Sequence, residues 1–240
     1  DEGGSSYAFQ SLPNFGGVVN AAVGVVNPGN NQFYNNHADI GADIYIYGVT
    51  TRDAVKVENC GFEVFSAADT TLSNYWANSS VPLSFIGCSG VAAAITSDIY
   101  VSTNGSDIVN TGLTPDSPFK TIDHALSRAF GTADNPITIH IASGTYSPSL
   151  TGEKYPLQMV KNVSLQGAGQ EETFLDAEAN ADYPGRVLNL DRVEGVSISG
   201  LSLMGGFVTL AKNYNGGGIG VIESSVTLHH ALIANCSSAG

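Results

Sequence analysis

The chain has 240 residues, enough for one large domain or two small ones with a substantial buried core. Hydrophobic residues at 42% exclude a disordered tail, while 28 glycines and only 13% charged residues argue against a helical bundle, whose surface is normally clothed in Glu, Lys and Arg. The formal charge of −13 comes from 22 acidic and 9 basic residues without an acidic run, so nucleic acid and anionic lipid are repelled and no nucleic-acid partner is expected.

The start, Asp1-Glu2-Gly3-Gly4, reads as a processed or trimmed end rather than a signal peptide. No apolar stretch approaches the roughly 20 residues of a membrane-spanning helix, so no membrane insertion is expected. Within residues 1–97, Phe33-Tyr34-Asn35-Asn36-His37-Ala38 resembles Phe62-Glu63-Val64-Phe65-Ser66-Ala67, and both resemble Ile233-Ala234-Asn235-Cys236-Ser237-Ser238. Ile44-Tyr45-Ile46-Tyr47 and Val55-Lys56-Val57 alternate as strands do. Tyr34, Tyr45, Tyr47, Tyr75 and Trp76 either line a sugar-binding face or stack in ladders within and beside the strands.

Cys60 and Cys88 are 28 residues apart (88 − 60), close to one turn of a large coil. They are a candidate disulfide in an extracellular protein, or equally two small buried apolar residues at one repeated position. Cys236 is left over as a candidate intersubunit thiol. Asn78, Asn104, Asn162 and Asn235 head N-x-S/T sequons, candidate glycosylation sites if the chain is secreted in a host that uses them.

Helical periodicity occurs once. Ile122, Leu126 and Ala129 fall at i, i+4 and i+7, with Ala125 on the same stripe. Thr121 suits the N-cap, Asp123 the first turn, and Gly131 the stop, predicting a short helix near 121–130 with one apolar face. Short alternating strands follow: 137–141, 163–165, 187–190, 196–198, 201–203 and 226–228, punctuated by Gly or Asn. Val163-x-Leu165, Val196-x-Ile198 and Val226-x-Leu228 recur after 33 (196 − 163) and 30 (226 − 196) residues. A sandwich has no reason to reuse one template at that spacing. A coil of parallel strands does, because each turn lays the same strand on its predecessor. The expected fold is therefore an all-β, parallel β-helix solenoid with one capping helix.

The segment Asp98-Ile99-Tyr100-Val101-Ser102-Thr103-Asn104-Gly105-Ser106-Asp107, then 112–122 (GLTPDSPFKTI) and Ala125-Leu126, resembles the N-terminal cap signature, residues 98–130, of the pectate-lyase-like right-handed β-helix superfamily. Ile141-Ala142-Ser143-Gly144-Thr145-Tyr146, 163–169 (VSLQGAG) and Ile198-Ser199-Gly200-Leu201 are similar to that family's early rungs. The resemblance implies that 98–240 is a cap, a capping helix and first rungs, and that 1–97 is a set of rungs ending a preceding or neighbouring β-helix. It does not imply one function, because lyases, epimerases, adhesins and surface-layer proteins share it.

For a lyase the resemblance implies a Lys or Arg base beside acidic residues that hold Ca2+, which neutralises a uronate while the base takes the adjacent proton. The nearest match is Asp176, Glu178, Asp182, Arg186, Asp191 and Arg192 with Lys161, more simply a solvated polar turn excursion. His229 and His230, being neighbours on a strand, cannot share one ion without a bulge, and His37, His124 and His140 lack ligand spacing. No cofactor is therefore expected beyond Ca2+ in that lyase reading. The expected role is structural, at the cell surface or otherwise extracellular: the chain reads first as a piece of a longer surface β-helix array, with other surface proteins as partners, and second as a unit that self-associates head to tail into a filament or sheath. A carbohydrate-binding adhesin taking polysaccharide, and a polysaccharide lyase or epimerase, are the alternatives.

Overall fold

The computed structural model describes residues 94–209 and 216–239, and ahead of them 18–19, 25–26, 32–33, 44–46, 55–66, 75–77 and 83–92. The first strands are β1 (Val18–Val19), β2 (Val25–Val26), β3 (Gln32–Phe33), β4 (Ile44–Ile46), β5 (Val55–Glu58), β6 (Gly61–Ser66), β7 (Tyr75–Ala77), β8 (Leu83–Ile86) and β9 (Ser89–Ala92). They make three parallel sheets, β1-β4-β7, β2-β5-β8 and β3-β6-β9. Each strand pairs with the third one after it, so three strands make one circuit and the next circuit lies on top. Phe33 pairs with Phe62, the two residues whose surroundings look alike in sequence.

The later elements are β10 (Ile99–Val101), α1 (Ile122–Arg128), β11 (Ile137–Ile141), β12 (Gly144–Tyr146), β13 (Leu157–Gln158), β14 (Val163–Gly167) and β15 (Thr173–Asp176). They continue with β16 (Leu188–Asp191), β17 (Val196–Met204), β18 (Phe207–Thr209), β19 (Ile219–Ile222), β20 (Val226–Ala234) and β21 (Ser237–Ala239). Their columns are β10-β11-β14-β17-β20, β12-β15-β17, β13-β16-β19 and β18-β21, with every strand pair parallel. This is a β-solenoid with one helix, as the repeat spacing predicts. Among the described strands, none of β1–β9 shares a sheet with β10–β21.

Alternation builds the core. In β11 the residues Ile137, Ile139 and Ile141 are buried and Thr138 and His140 are half-buried between them. Register then stacks Ile99, Ile139, Leu165 and Ile198 in one column, each with no exposed surface. Each such side chain contributes about 1.5–3 kcal/mol by leaving water. The paired Leu175 and Leu203 extend the core round the next face. Alternation does not fix burial everywhere. Asn189 and Ser202 lie between inward leucines yet are 7% and 1% exposed; Asn189 is held against the Gln158 and Arg186 side chains, and the Ser202 hydroxyl donates to the Gln170 carbonyl.

Helix α1 closes one end of this core with Ile122, Ala125, Leu126 and the following Ala129, which join the same apolar cluster. It lies against β10, β11 and β13, and also approaches β6. The helix stops earlier than Gly131. Ala129 is already extended at φ −73° and ψ 136°, and pairs with Ile95 in a parallel bridge.

Candidate functional site

Among the described residues, the most elaborate side-chain arrangement holds the start of α1. A helix leaves its first four N–H groups without helical partners. Here Thr121 Oγ1 accepts from the His124 N–H at 3.2 Å, as its N-cap position predicts. Asp107 accepts from the Lys120 and Thr121 N–H groups at 2.7 and 3.1 Å and from the Thr121 hydroxyl at 2.8 Å. Glu153, reaching in from between β12 and β13, accepts from the Ile122 and Asp123 N–H groups at 2.9 and 2.7 Å. Two carboxylates thus clasp the helix from two loops. Glu153 is 2% exposed, and burial pushes its carboxyl up to about 8 although both N–H bonds pull it down. Neighbouring Tyr155, also raised by burial, donates its hydroxyl to the Tyr146 carbonyl at 2.8 Å.

The outer face of the β10-β11-β14-β17-β20 column carries polar and aromatic side chains. Thr138, Ser164, Ser197 and Thr227 form one outward row, beside a second of Tyr100, His140, Gln166, Ser199 and His229. Asp98 secures its first turns, accepting from the Thr138 N–H at 2.8 Å and lying 2.9 Å from His140 Nε2. Partial burial raises the Asp98 carboxyl, but these bonds outweigh it and hold it below its usual range. The Tyr100 ring stacks on His140 at 5.1 Å.

The residues that match a lyase constellation make separate local bonds. Asp176 accepts from the Glu178 N–H at 3.0 Å, and Glu178 reaches the Ser149 N–H and hydroxyl. Arg192 pairs with Asp191 at 3.0 Å. Arg186 is 6% exposed, its Nη1 3.5 Å from Asn189 Oδ1, and Asn189 in turn bonds Gln158 across the turns. Asp182 lies at an exposed turn and Lys161 is half-buried. Among the described residues, no group of three or more His, Cys, Asp or Glu side chains is gathered to hold a metal ion.

His230 takes φ 48°, in line with Gly200 at φ 62° one turn below, so both strands turn at this position without a shift of register, and the His229 and His230 ring centroids lie 3.9 Å apart. Cys60 and Cys88 occupy the same corner of successive turns, with the Cys60 N–H directed to Cys88 Sγ at 3.4 Å. Cys236 is half-buried, its thiol directed to the Ala234 carbonyl at 3.4 Å. Asn104 and Asn235 are exposed, while Asn162, at φ 55°, is half-buried with its side chain over Gly195. Asn78, Tyr34, Tyr47 and His37 lie outside the described residues, as do the side chains of Tyr45, Tyr75 and Trp76.

The far turn of the coil presents its inward residues uncovered. Leu190, Ile198 and Leu203 have no exposed surface. Val221, Leu228 and Ile233, stacked on them in register, are 49%, 44% and 45% exposed.

Sequence reasoning finds Thr121 and Asp123 but misses Asp107 and Glu153. These act on α1 from 14 and 31 residues away, beyond the reach of any local capping pattern. It likewise gives His140 no partner, because Asp98 is 42 residues distant. A family model described as a protein of unknown function (DUF1565) matches residues 103–225. No curated protein and no solved structure matches the chain.

Proposed function

That the chain belongs to the DUF1565 family is the premise from which we propose its role: a structural β-helix of the cell exterior, whose coil end takes up a second copy head to tail. The observation that carries the structural reading is the unbroken register of the parallel columns, which stacks Ile99, Ile139, Leu165, Ile198 and Leu228 turn on turn; the row of Val221, Leu228 and Ile233 on the last described turn is where the next parallel turn lies, whether from continuing chain or from a second copy. A further parallel turn laid on β20 would bury that row and pair its open N–H and C=O groups, as each earlier turn does for the one before. A heterologous contact of this kind does not close, so it propagates into a fibre. Dispersed acidic charge and few lysines suit a solvated exterior.

The test is sedimentation velocity of the purified chain over a wide concentration range, with Ile233→Lys as the variant. Concentration-dependent oligomers that the variant abolishes are expected. A single monomeric species at every concentration contradicts the assembly.

A second reading, polysaccharide binding, is favoured by the two outward rows from Thr138 to His229. Their hydroxyl, amide and imidazole groups repeat at the roughly 4.8 Å spacing of strands along the coil axis. Retention on an immobilised neutral polysaccharide, reduced by Gln166→Ala, is its expected outcome; equal retention of the variant or none at all contradicts it.

A further inference from the structure

We propose that Cys60 and Cys88 are a built oxidation site, forming an intrachain disulfide that staples two successive turns of the first coil. The observations are local and independent of how the far turn is used. On one side of the pair Glu58 is in register with Ile86, and on the other Gly61 with Ser89. Two backbone hydrogen bonds bracket it, from the Asn59 N–H to the Ile86 carbonyl at 2.8 Å and from the Ser89 N–H to the Cys60 carbonyl at 2.9 Å. Each cysteine follows a residue in the left-handed region, Asn59 at φ 52° and Gly87 at φ 64°, so both stand at the same corner. Cys88 Sγ leans toward its neighbour, within 3.4 Å of the Cys60 N–H.

Stacked strands lie about 4.8 Å apart, inside the range of about 4.4–6.8 Å that disulfides span between Cα atoms. The pair therefore needs side-chain rotation rather than backbone movement. Access is graded: Cys60 is 2% exposed, and Cys88 is half-buried. A small disulfide such as oxidised glutathione meets Cys88 first. The Cys88 thiolate attacks one of its sulfurs, forming a mixed disulfide and releasing one glutathione thiolate. The Cys60 thiolate then attacks Cys88 Sγ, forming the Cys60–Cys88 bond and releasing the second glutathione. The two cysteine thiols lose two protons and two electrons; the small disulfide takes both electrons and leaves as two thiols. Cys236 stands outside this pairing, with its thiol turned to carbonyls of its own coil.

The experiment oxidises the folded full chain with glutathione disulfide, then denatures it, alkylates remaining thiols and cleaves after Glu63, which separates the two cysteines into different peptides. The expected product is monomeric, lighter by two hydrogen atoms, alkylated only at Cys236, and carries the Cys60 and Cys88 peptides joined until reduction. The Cys236→Ser variant gives the same joined peptides. Recovery of Cys60 and Cys88 both alkylated, a stable glutathione adduct on Cys88, or a crosslink from either to Cys236 would overturn the proposal.

Discussion

Glu153 shows how one residue couples the coil to its helix. Its two oxygens satisfy the Ile122 and Asp123 N–H groups, so Glu153→Ala leaves donors unmet at a buried helix start. The expected loss is about 1–3 kcal/mol, read by urea unfolding. Charge adds a pH dependence. The folded carboxyl titrates near 8 against an ordinary 4.5, chiefly because burial disfavours its charged form. A group raised on folding stabilises fully below its unfolded value, and that contribution is lost as pH rises through the folded value. The melting temperature should therefore fall between about pH 5 and about pH 8, and Glu153→Gln should flatten that decline. An equal slope in the variant would remove Glu153 as its source. None of this is legible in the sequence, where Glu153 is one acidic residue in a loop and its partners are 30 and 31 positions away.

Among the elements, the strands are legible and their covering is not. Alternation at 137–141 and the recurrence of Val163, Val196 and Val226 predict both the strands and their stacking, because a parallel coil must reuse one template. The helix is legible for the same reason, one apolar face and a capping threonine. What periodicity cannot supply is which outer positions find polar partners that bury them, as Asn189 does on Gln158 and Ser202 on the Gln170 carbonyl. The corners need particular backbone conformations. Gly200 turns β17 at φ 62°, and an added Cβ there would crowd the Gly167 carbonyl. Gly200→Ala should cost about 1–2 kcal/mol, measured by thermal unfolding. Leu165→Ala, in the middle of the central column, should cost about 2–5 kcal/mol.

At the scale of the molecule, two features of the coil give it mechanical sense. A Cys60–Cys88 staple closes a loop of 28 residues, and oxidation should raise stability by about 3–4 kcal/mol, read as a higher urea midpoint that dithiothreitol reverses. The far turn leaves Leu228 and Ile233 uncovered above buried partners, the face on which the proposed second copy would stack. The exposure of those residues becomes visible only once register is known. The most direct measurement of the central claim is electron microscopy and diffraction of the concentrated, purified chain. Rods with an axial repeat near 4.8 Å, the spacing of stacked strands, are predicted; isolated particles at every concentration would contradict it.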